Sequence, residues 1–84
     1  MTKPIAVIIL NWNGAKLLKE FLPSVCKNTN SEIADVIVAD NGSTDNSREV
    51  LQNEFPNVKT ILFDDNHGFA EGYNLAIKNC QEYK

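Results

Sequence analysis

The chain has 84 residues, of which 43% are hydrophobic and 23% charged, and its formal net charge is −3. This length allows one small domain, and the acidic balance offers no broad cationic surface for nucleic acid or anionic lipid, so we expect neither as a partner. The longest apolar run, residues 5–10, is too short for a membrane-spanning helix or a signal peptide. We therefore expect no membrane segment and a cytoplasmic location.

Three apolar runs rich in β-branched residues predict strands at residues 5–10, 33–39 and 58–63. Each run is followed by a segment in which apolar residues recur at helical spacing, so the elements alternate as β-α-β-α-β-α. This alternation is typical of the α/β class. Right-handed connections predict a three-stranded parallel sheet of order 3-2-1, half of a doubly wound Rossmann-like fold, with the first two helices on one face.

The three predicted helices differ in their end signals. Pro23 is predicted to kink or restart the first helix. Ser43 and Thr44 are N-cap candidates for the second helix, Asp45 offers a carboxylate for its first turn, and Pro56 ends it. The apolar faces comprise Leu17, Leu18, Phe21, Leu22 and Val25, then Val50, Leu51 and Phe55, and finally Phe69, Tyr73, Ala76, Ile77 and Cys80. Each helix therefore has a face that can pack on the sheet.

The first predicted strand is apolar at every position, which is typical of a strand with neighbours on both sides. In the order 3-2-1, however, this strand lies at an edge of the sheet. We therefore expect the chain to be a fragment of a longer domain in which another strand pairs with this edge. A homodimer in which a second copy covers the first strand is the alternative.

Polar residues follow all three predicted strands. The segments read Asn-Trp-Asn-Gly at residues 11–14, Asp-Asn-Gly-Ser-Thr-Asp at residues 40–45 and Asp-Asp-Asn-His-Gly-Phe at residues 64–69. The carboxyl ends of parallel strands meet at one edge of a sheet, where ligands bind. Amides, carboxylates, glycines and aromatic rings together offer a stacking surface, hydrogen-bond partners and close backbone approach. The sequence therefore predicts a nucleotide site at this edge.

Two residues of this edge are the leading candidates for nucleotide contact. Trp12 can stack on a base while Asn11 and Asn13 reach the polar edge of that base, although an isolated tryptophan is more often a packing residue. Asp40 can accept the imide N–H of a pyrimidine or a ribose hydroxyl, and its alternative role is to satisfy backbone donors in the turn. We favour nucleotide contact for both.

The third segment offers a place for a diphosphate. Gly68 and Gly72 flank Phe69 at the start of the last helix, where backbone N–H groups can face an anion. A plain strand-to-helix turn, with glycines serving only its backbone angles, is the alternative.

No metal site and no catalytic residue are predicted within the chain. His67 has no second ligand at metal spacing, and Asp64 and Asp65 point in opposite directions if the segment is extended. Cys26 and Cys80 lie within helical patterns and lack ligand spacing, so we interpret both as buried thiols.

Three stretches resemble family 2 glycosyltransferases of the GT-A fold, especially rhamnosyltransferase-like members. They are Val-Ile-Ile-Leu-Asn-Trp-Asn at residues 7–13, Val-Ala-Asp-Asn-Gly-Ser-Thr-Asp at residues 38–45 and Asn-His-Gly-Phe-Ala-Glu-Gly-Tyr-Asn at residues 66–74. The resemblance covers nearly the whole chain. It implies that residues 1–84 form the N-terminal, nucleotide-sugar-binding part of an enzyme that transfers a sugar from a UDP- or dTDP-linked donor, with inversion, in polysaccharide biosynthesis.

The resemblance also assigns roles to individual residues. It implies that Trp12 stacks on the base and that the acidic pair of the family, here Asp40 followed by Asn41, contacts base and ribose. Together with the residues at the strand ends, the predicted nucleotide-binding residues are Asn11, Trp12, Asn13, Asp40, Asn41 and Ser43. Those implied for the donor diphosphate and sugar are Asn66, Gly68, Phe69, Gly72 and Asn74.

Two features of the family are missing before Lys84. The Asp-x-Asp motif that holds a divalent metal, Mg or Mn, and the later carboxylate that serves as catalytic base are both absent. We therefore expect the 84 residues alone to be catalytically silent and to bind no metal. The glycan or lipid-linked acceptor is expected to bind to the half of the enzyme that is missing here.

Two rival functions remain. A dinucleotide-binding Rossmann domain would use Asp40 for the ribose, but it also needs a Gly-x-Gly-x-x-Gly motif, and residues 11–14 provide one glycine. A non-catalytic signalling module with a flavodoxin-like sheet would need carboxylates after the first strand, where this chain has none.

Overall fold

The computed structural model describes residues 5–80, so the ends of the predicted unit of residues 1–84 lie outside the described residues. The elements are β1 (Ile5–Asn11), α1 (Ala15–Asn28), β2 (Ala34–Asn41), α2 (Ser47–Glu54), β3 (Lys59–Phe63) and α3 (Phe69–Lys78). All three strands are parallel and β2 lies between β1 and β3. The predicted α/β class, element order and 3-2-1 sheet are confirmed.

Two strands extend further than the sequence predicts. β1 continues to Asn11 and β2 continues to Asn41, because the parallel ladder pairs Asn11 with Asp40 and Asn41 with Phe63. These polar residues were expected to follow the strands. They are the last ladder residues instead, and all three carry buried side chains.

The core lies between the sheet and the first two helices. Leu18 and Leu22 of α1 and Val50 and Leu51 of α2 pack in one cluster with Val38 of β2, and each of the five is at most 6% exposed. Because α1 and α2 share this cluster, they lie on the same face of the sheet, as predicted.

α3 packs against β1 and β2 through the side chains that point to the other face. A Cβ at Gly72 would lie 3.1 Å from the Leu10 side chain and 2.9 Å from Nδ2 of Asn41, so α3 approaches the sheet as closely as a glycine allows. Ala76, one turn later, is fully buried. This close approach sets the start of α3 beside the ends of β1 and β2.

Several helix predictions are wrong in detail. α1 is one helix through Pro23, so it does not restart there, and a kink at Pro23 stays a prediction. α2 begins at Ser47, with Asn46 as its N-cap, so Ser43 and Thr44 lie before the helix and serve the loop instead. Asp45 also precedes the first turn, although its Oδ1 accepts the backbone N–H of Ser47 at 2.9 Å.

Part of the predicted apolar face of α1 is exposed. Leu17 and Phe21 are 59% and 56% exposed and border a groove of about 200 Å³ that also contacts Ile9 and Leu10 of β1. The strand itself is half-buried along most of its length, because helices cover both faces but its outer edge has no neighbouring strand among the described residues. Within residues 5–80, no helix is long and apolar enough to cross a membrane.

Candidate nucleotide site at the strand ends

The carboxylate of Asp40 is fully buried at the end of the middle strand. Its Oδ1 accepts hydrogen bonds from Nδ2 of Asn11 at 3.0 Å and from the Ser43 hydroxyl, and its Oδ2 accepts the backbone N–H of Ser43 at 3.2 Å. Nε of Arg48 donates to Oδ2 at 3.0 Å. Both oxygens are therefore occupied by protein donors.

Arg48 is a residue of this region that the sequence prediction missed. Besides its ion pair with Asp40, Nη2 donates to the carbonyl of Phe63 at 2.6 Å, so one guanidinium joins the ends of β2 and β3. Arg48 is the sole arginine of the chain and lies eight positions after Asp40. A buried carboxylate is rarely left without a cation, and that rule would have pointed to Arg48.

Hydrogen bonds of Asn13 connect the first loop (residues 12–14) to the second loop (residues 42–46). Its Oδ1 accepts the backbone N–H groups of Thr44 at 2.7 Å and Asp45 at 3.2 Å, and its own backbone N–H donates to Oγ of Ser43 at 2.9 Å. Asn13 has a positive φ of 50°, a conformation that asparagine tolerates better than most residues. These hydrogen bonds fix the backbone next to Trp12.

Hydrogen bonds of Asn41 connect the end of β2 to the third loop (residues 64–68). Oδ1 of Asn41 accepts the backbone N–H of His67 at 3.0 Å, while its Nδ2 donates to Oδ1 of Asn66 and to the carbonyl of Gly68, both at 3.1 Å. Asn41 is 2% exposed. Among the described residues, no buried side-chain nitrogen or oxygen lacks a hydrogen-bond partner.

Between the first and third loops lies an open cleft of about 260 Å³. Trp12 and Phe69 are large aromatic residues of its wall and are 55% and 76% exposed, and the ring of Phe69 contacts that of Tyr73 edge-on at 5.0 Å. Exposed rings beside backbone and amide groups are the arrangement that a planar heterocycle can bind. The lining comprises Leu10, Trp12, Asn41, Asn66, Gly68 and Phe69.

The other predicted site residues lie outside this lining. Asn11 and Ser43 surround the buried carboxylate of Asp40, and Asn13 joins the first two loops. Gly72 lies beneath the cleft, against Asn41. Asn74 is exposed on α3. The predicted residues other than Asn74 thus form the cleft or the support below it.

The described residues do not fit a metal site. Across residues 5–80, no group of three or more histidine, cysteine, aspartate or glutamate residues could hold an ion. The two oxygens of Asp40 already accept four protein hydrogen bonds. Of the two cysteines, Cys80 is buried, as predicted, whereas Cys26 is half-buried.

We predict that acid destabilises the chain through Asp40 and Asp45. Burial raises the pKa of both carboxyl groups, but the hydrogen bonds that they accept lower it by more, so each pKa lies below its usual value. For Asp40 the donors are Ser43, Arg48 and Asn11. As the pH falls, the unfolded chain therefore binds protons at a higher pH than the folded chain does. The free energy of unfolding should begin to fall at about pH 4 and continue to fall until the pH passes the lower pKa values of the folded state. Urea unfolding between pH 7 and 3 measures this.

The variant Asp40→Asn provides the comparison for this pH series. It lacks one of the two ionisable groups, so its free energy of unfolding should change less between pH 5 and pH 3 than that of the unchanged chain. An equal change in both proteins would contradict the role of Asp40.

Sequence relatives of this chain are glycosyltransferases. An uncharacterized glycosyltransferase of Nostoc sp. is 40% identical over 76 residues, which make up 87% of this chain and 23% of the relative. The N-acetylglucosaminyl-diphospho-decaprenol L-rhamnosyltransferase of Mycobacterium tuberculosis is 29% identical over 82 residues, 98% of this chain and 26% of that enzyme. The chain thus spans about a quarter of the length of these relatives.

A solved structure shares the fold. The mannosyltransferase PcManGT from Pyrobaculum calidifontis, determined in complex with GDP-Man and Mn²⁺, superposes with a TM-score of 0.75 over 94% of this chain and 25% of that one, at 22% identity. The sequence model described as "Glycosyl transferase family 2" matches residues 6–83. The chain therefore belongs to glycosyl transferase family 2.

Proposed function

We propose that residues 1–84 grip the nucleotide of a nucleoside diphosphate sugar, with UDP or dTDP as the nucleotide. The observation that carries the proposal is the cleft between Trp12 and Phe69, whose rings are exposed although the hydrogen bonds of Asn13 and Asn41 hold the loops behind them. Exposing a tryptophan on a fixed backbone favours stacking on a ligand. The GDP-Man complex of PcManGT supports this class of ligand.

In this proposal the base stacks on Trp12 and the diphosphate faces the start of α3. The first backbone N–H groups of a helix have no intrahelical partner and carry the positive end of the helix dipole, which favours an anion. Gly68 precedes this turn and lines the cleft. A direct contact from Asp40 to base or ribose stays a prediction, and it requires the nucleotide to replace one of the protein donors.

The transfer reaction belongs to a longer protein in this proposal. Curated relatives are about four times as long as the part they share with this chain, and we propose that the remainder holds the divalent metal, Mg or Mn, the catalytic base and the glycan or lipid-linked acceptor. Transfer with inversion and a cytoplasmic location stay predictions. A strand of that remainder, or a second copy in a homodimer, is proposed to cover the open edge of β1.

The variant Trp12→Ala tests the proposal. Loss of base stacking should weaken UDP binding by about 1–3 kcal/mol, roughly five- to 150-fold in Kd, without unfolding the chain. Isothermal titration measures the affinity, and urea unfolding measures the stability. Phe21→Ala is the matched control, because it also removes an exposed aromatic ring, on α1 and outside the cleft lining, and should leave Kd unchanged.

Two results would contradict the stacking role. Equal affinity of Trp12→Ala and the unchanged chain would remove Trp12 from the site. Unfolding of Trp12→Ala would show that the ring serves packing, which its 55% exposure argues against.

A further inference from the structure

The side-chain amide of Asn41 makes three hydrogen bonds to the third loop. Its amide bonds to three consecutive residues of the chain, Asn66, His67 and Gly68, although it lies on a different strand. The amide is 2% exposed, and both of its N–H hydrogens are used within the protein. Its bonds thus span the whole turn that leads into α3.

Backbone groups fix the orientation of this amide. A backbone N–H, that of His67, requires the oxygen of Asn41, and a backbone carbonyl, that of Gly68, requires its nitrogen. The remaining N–H hydrogen of Asn41 donates to Oδ1 of Asn66, which also accepts the backbone N–H of Gly68 at 2.6 Å. Asn41 is therefore the donor, and Asn66 the acceptor, of the bond between their side chains.

The third loop also packs directly on Gly42, the first residue after β2. A Cβ at Gly42 would lie 2.5 Å from the backbone carbon of Asp65 and 2.6 Å from the nitrogen of Asn66. On its other side, Asn41 lies against Gly72 of α3. The amide thus fills a polar junction between β2, the third loop and α3.

We propose that Asn41 is a positioning residue, whose amide holds the third loop and the start of α3 in the shape that receives the diphosphate of the donor. This inference rests on the proposed function. Asn41 acts through Asn66 and Gly68, and the requirement at position 41 is for two N–H donors. A carboxylate there would set an oxygen against two acceptors, although it has nearly the same shape.

Asn41 and Asn66 lie at the two ends of one hydrogen bond, so the change from asparagine to aspartate should loosen the third loop at position 41 and leave it in place at position 66. Asn66→Asp keeps the acceptor oxygen, so the bonds from Asn41 and Gly68 survive. Asn66→Ala removes that acceptor at an exposed position, where the chain should stay folded. Asn41→Asp removes both donors. Asn53→Asp adds the same charge on the exposed surface of α2 and is the control for charge.

Amide hydrogen exchange, measured by NMR on the ligand-free chain, tests the inference. Each variant is assessed at a backbone amide that does not hydrogen-bond to the substituted residue. Asn66→Ala should speed exchange of the His67 amide, and Asn41→Asp that of the Gly68 amide, each about tenfold. Asn66→Asp and Asn53→Asp should stay within about twofold of the unchanged chain. If Asn66→Asp loosens the loop as much as Asn66→Ala does, or if neither does, the inference is wrong.

Ligand truncation provides a second readout. Asn41→Asp should weaken UDP binding about tenfold and uridine binding by less than about twofold, because the loop carries the diphosphate. Equal weakening for UDP and uridine would show a direct contact of Asn41 with the nucleoside and would overturn the inference. If the unchanged chain binds no UDP, the proposed function fails, and the exchange experiment still decides whether Asn41 holds the loop.

Discussion

Replacing Asp40 with alanine should lower the free energy of unfolding by about 3 kcal/mol, a large part of the roughly 4–13 kcal/mol expected for a domain of this length. The substitution leaves Arg48 without its carboxylate and removes one of the two acceptors of the buried Asn11 amide, the other being the Ser43 hydroxyl. We place the loss at the lower end for a broken buried ion pair because the Arg48 side chain is 36% exposed and can regain water. Urea unfolding at pH 7 measures this loss.

The control for Asp40→Ala is Asp64→Ala. It removes a carboxylate of the third loop that is exposed, and its cost should stay within about 0.5 kcal/mol. Asp40→Asn should fall between the two, because the amide keeps one acceptor oxygen but opposes the guanidinium with N–H donors. Similar stabilities for Asp40→Ala and Asp64→Ala would contradict a structural role for the buried carboxylate.

Replacing Gly42 with alanine should cost more than about 2 kcal/mol. Its φ of 73° costs alanine about 1–2 kcal/mol, and the new methyl group would also overlap the backbone of Asp65 and Asn66, which cannot turn aside as a flexible side chain can. The third loop must then move away from β2. Urea unfolding measures the loss of stability, and hydrogen exchange of the His67 amide measures whether the third loop has loosened.

Gly42→Asn separates the two causes of this loss. Asparagine tolerates a left-handed backbone, so it relieves the strain in φ but keeps the overlap of the Cβ atom. We expect it to lose nearly as much stability as Gly42→Ala. A stability close to that of the unchanged chain would mean that φ alone requires glycine and that the loop does not pack as described.

The fold could be predicted from the sequence because the strand and helix patterns indicate the same topology. Strand-like runs alternate with helical spacings, and that alternation admits few topologies, so the sheet order and the shared face of α1 and α2 could be predicted. The strand ends could be predicted only within two residues. Asn11, Asp40 and Asn41 are polar, and polarity suggested loops, whereas the ladder continues through them because their side chains bond to one another and to neighbouring loops.

The roles of individual site residues were harder to predict, because they depend on side-chain partners that are distant in sequence. The rule that pairs a buried carboxylate with a cation points to Arg48 only once Asp40 is known to be buried, and the amide of Asn41 bonds residues 25 or more positions away. Exposure is equally non-local. Leu17 and Phe21 follow a helical apolar pattern, yet they face the open edge of β1 and not the core.

The most direct test of the nucleotide site is thermal unfolding with added ligands. UDP and dTDP at about 100 times their Kd should stabilise the folded chain by about 2.7 kcal/mol and raise Tm by several degrees, whereas NAD at the same concentration should leave Tm unchanged. Stabilisation by NAD alone would favour a dinucleotide-binding domain. No stabilisation by any nucleoside diphosphate, GDP included, would contradict the proposal that these three strand ends grip the donor.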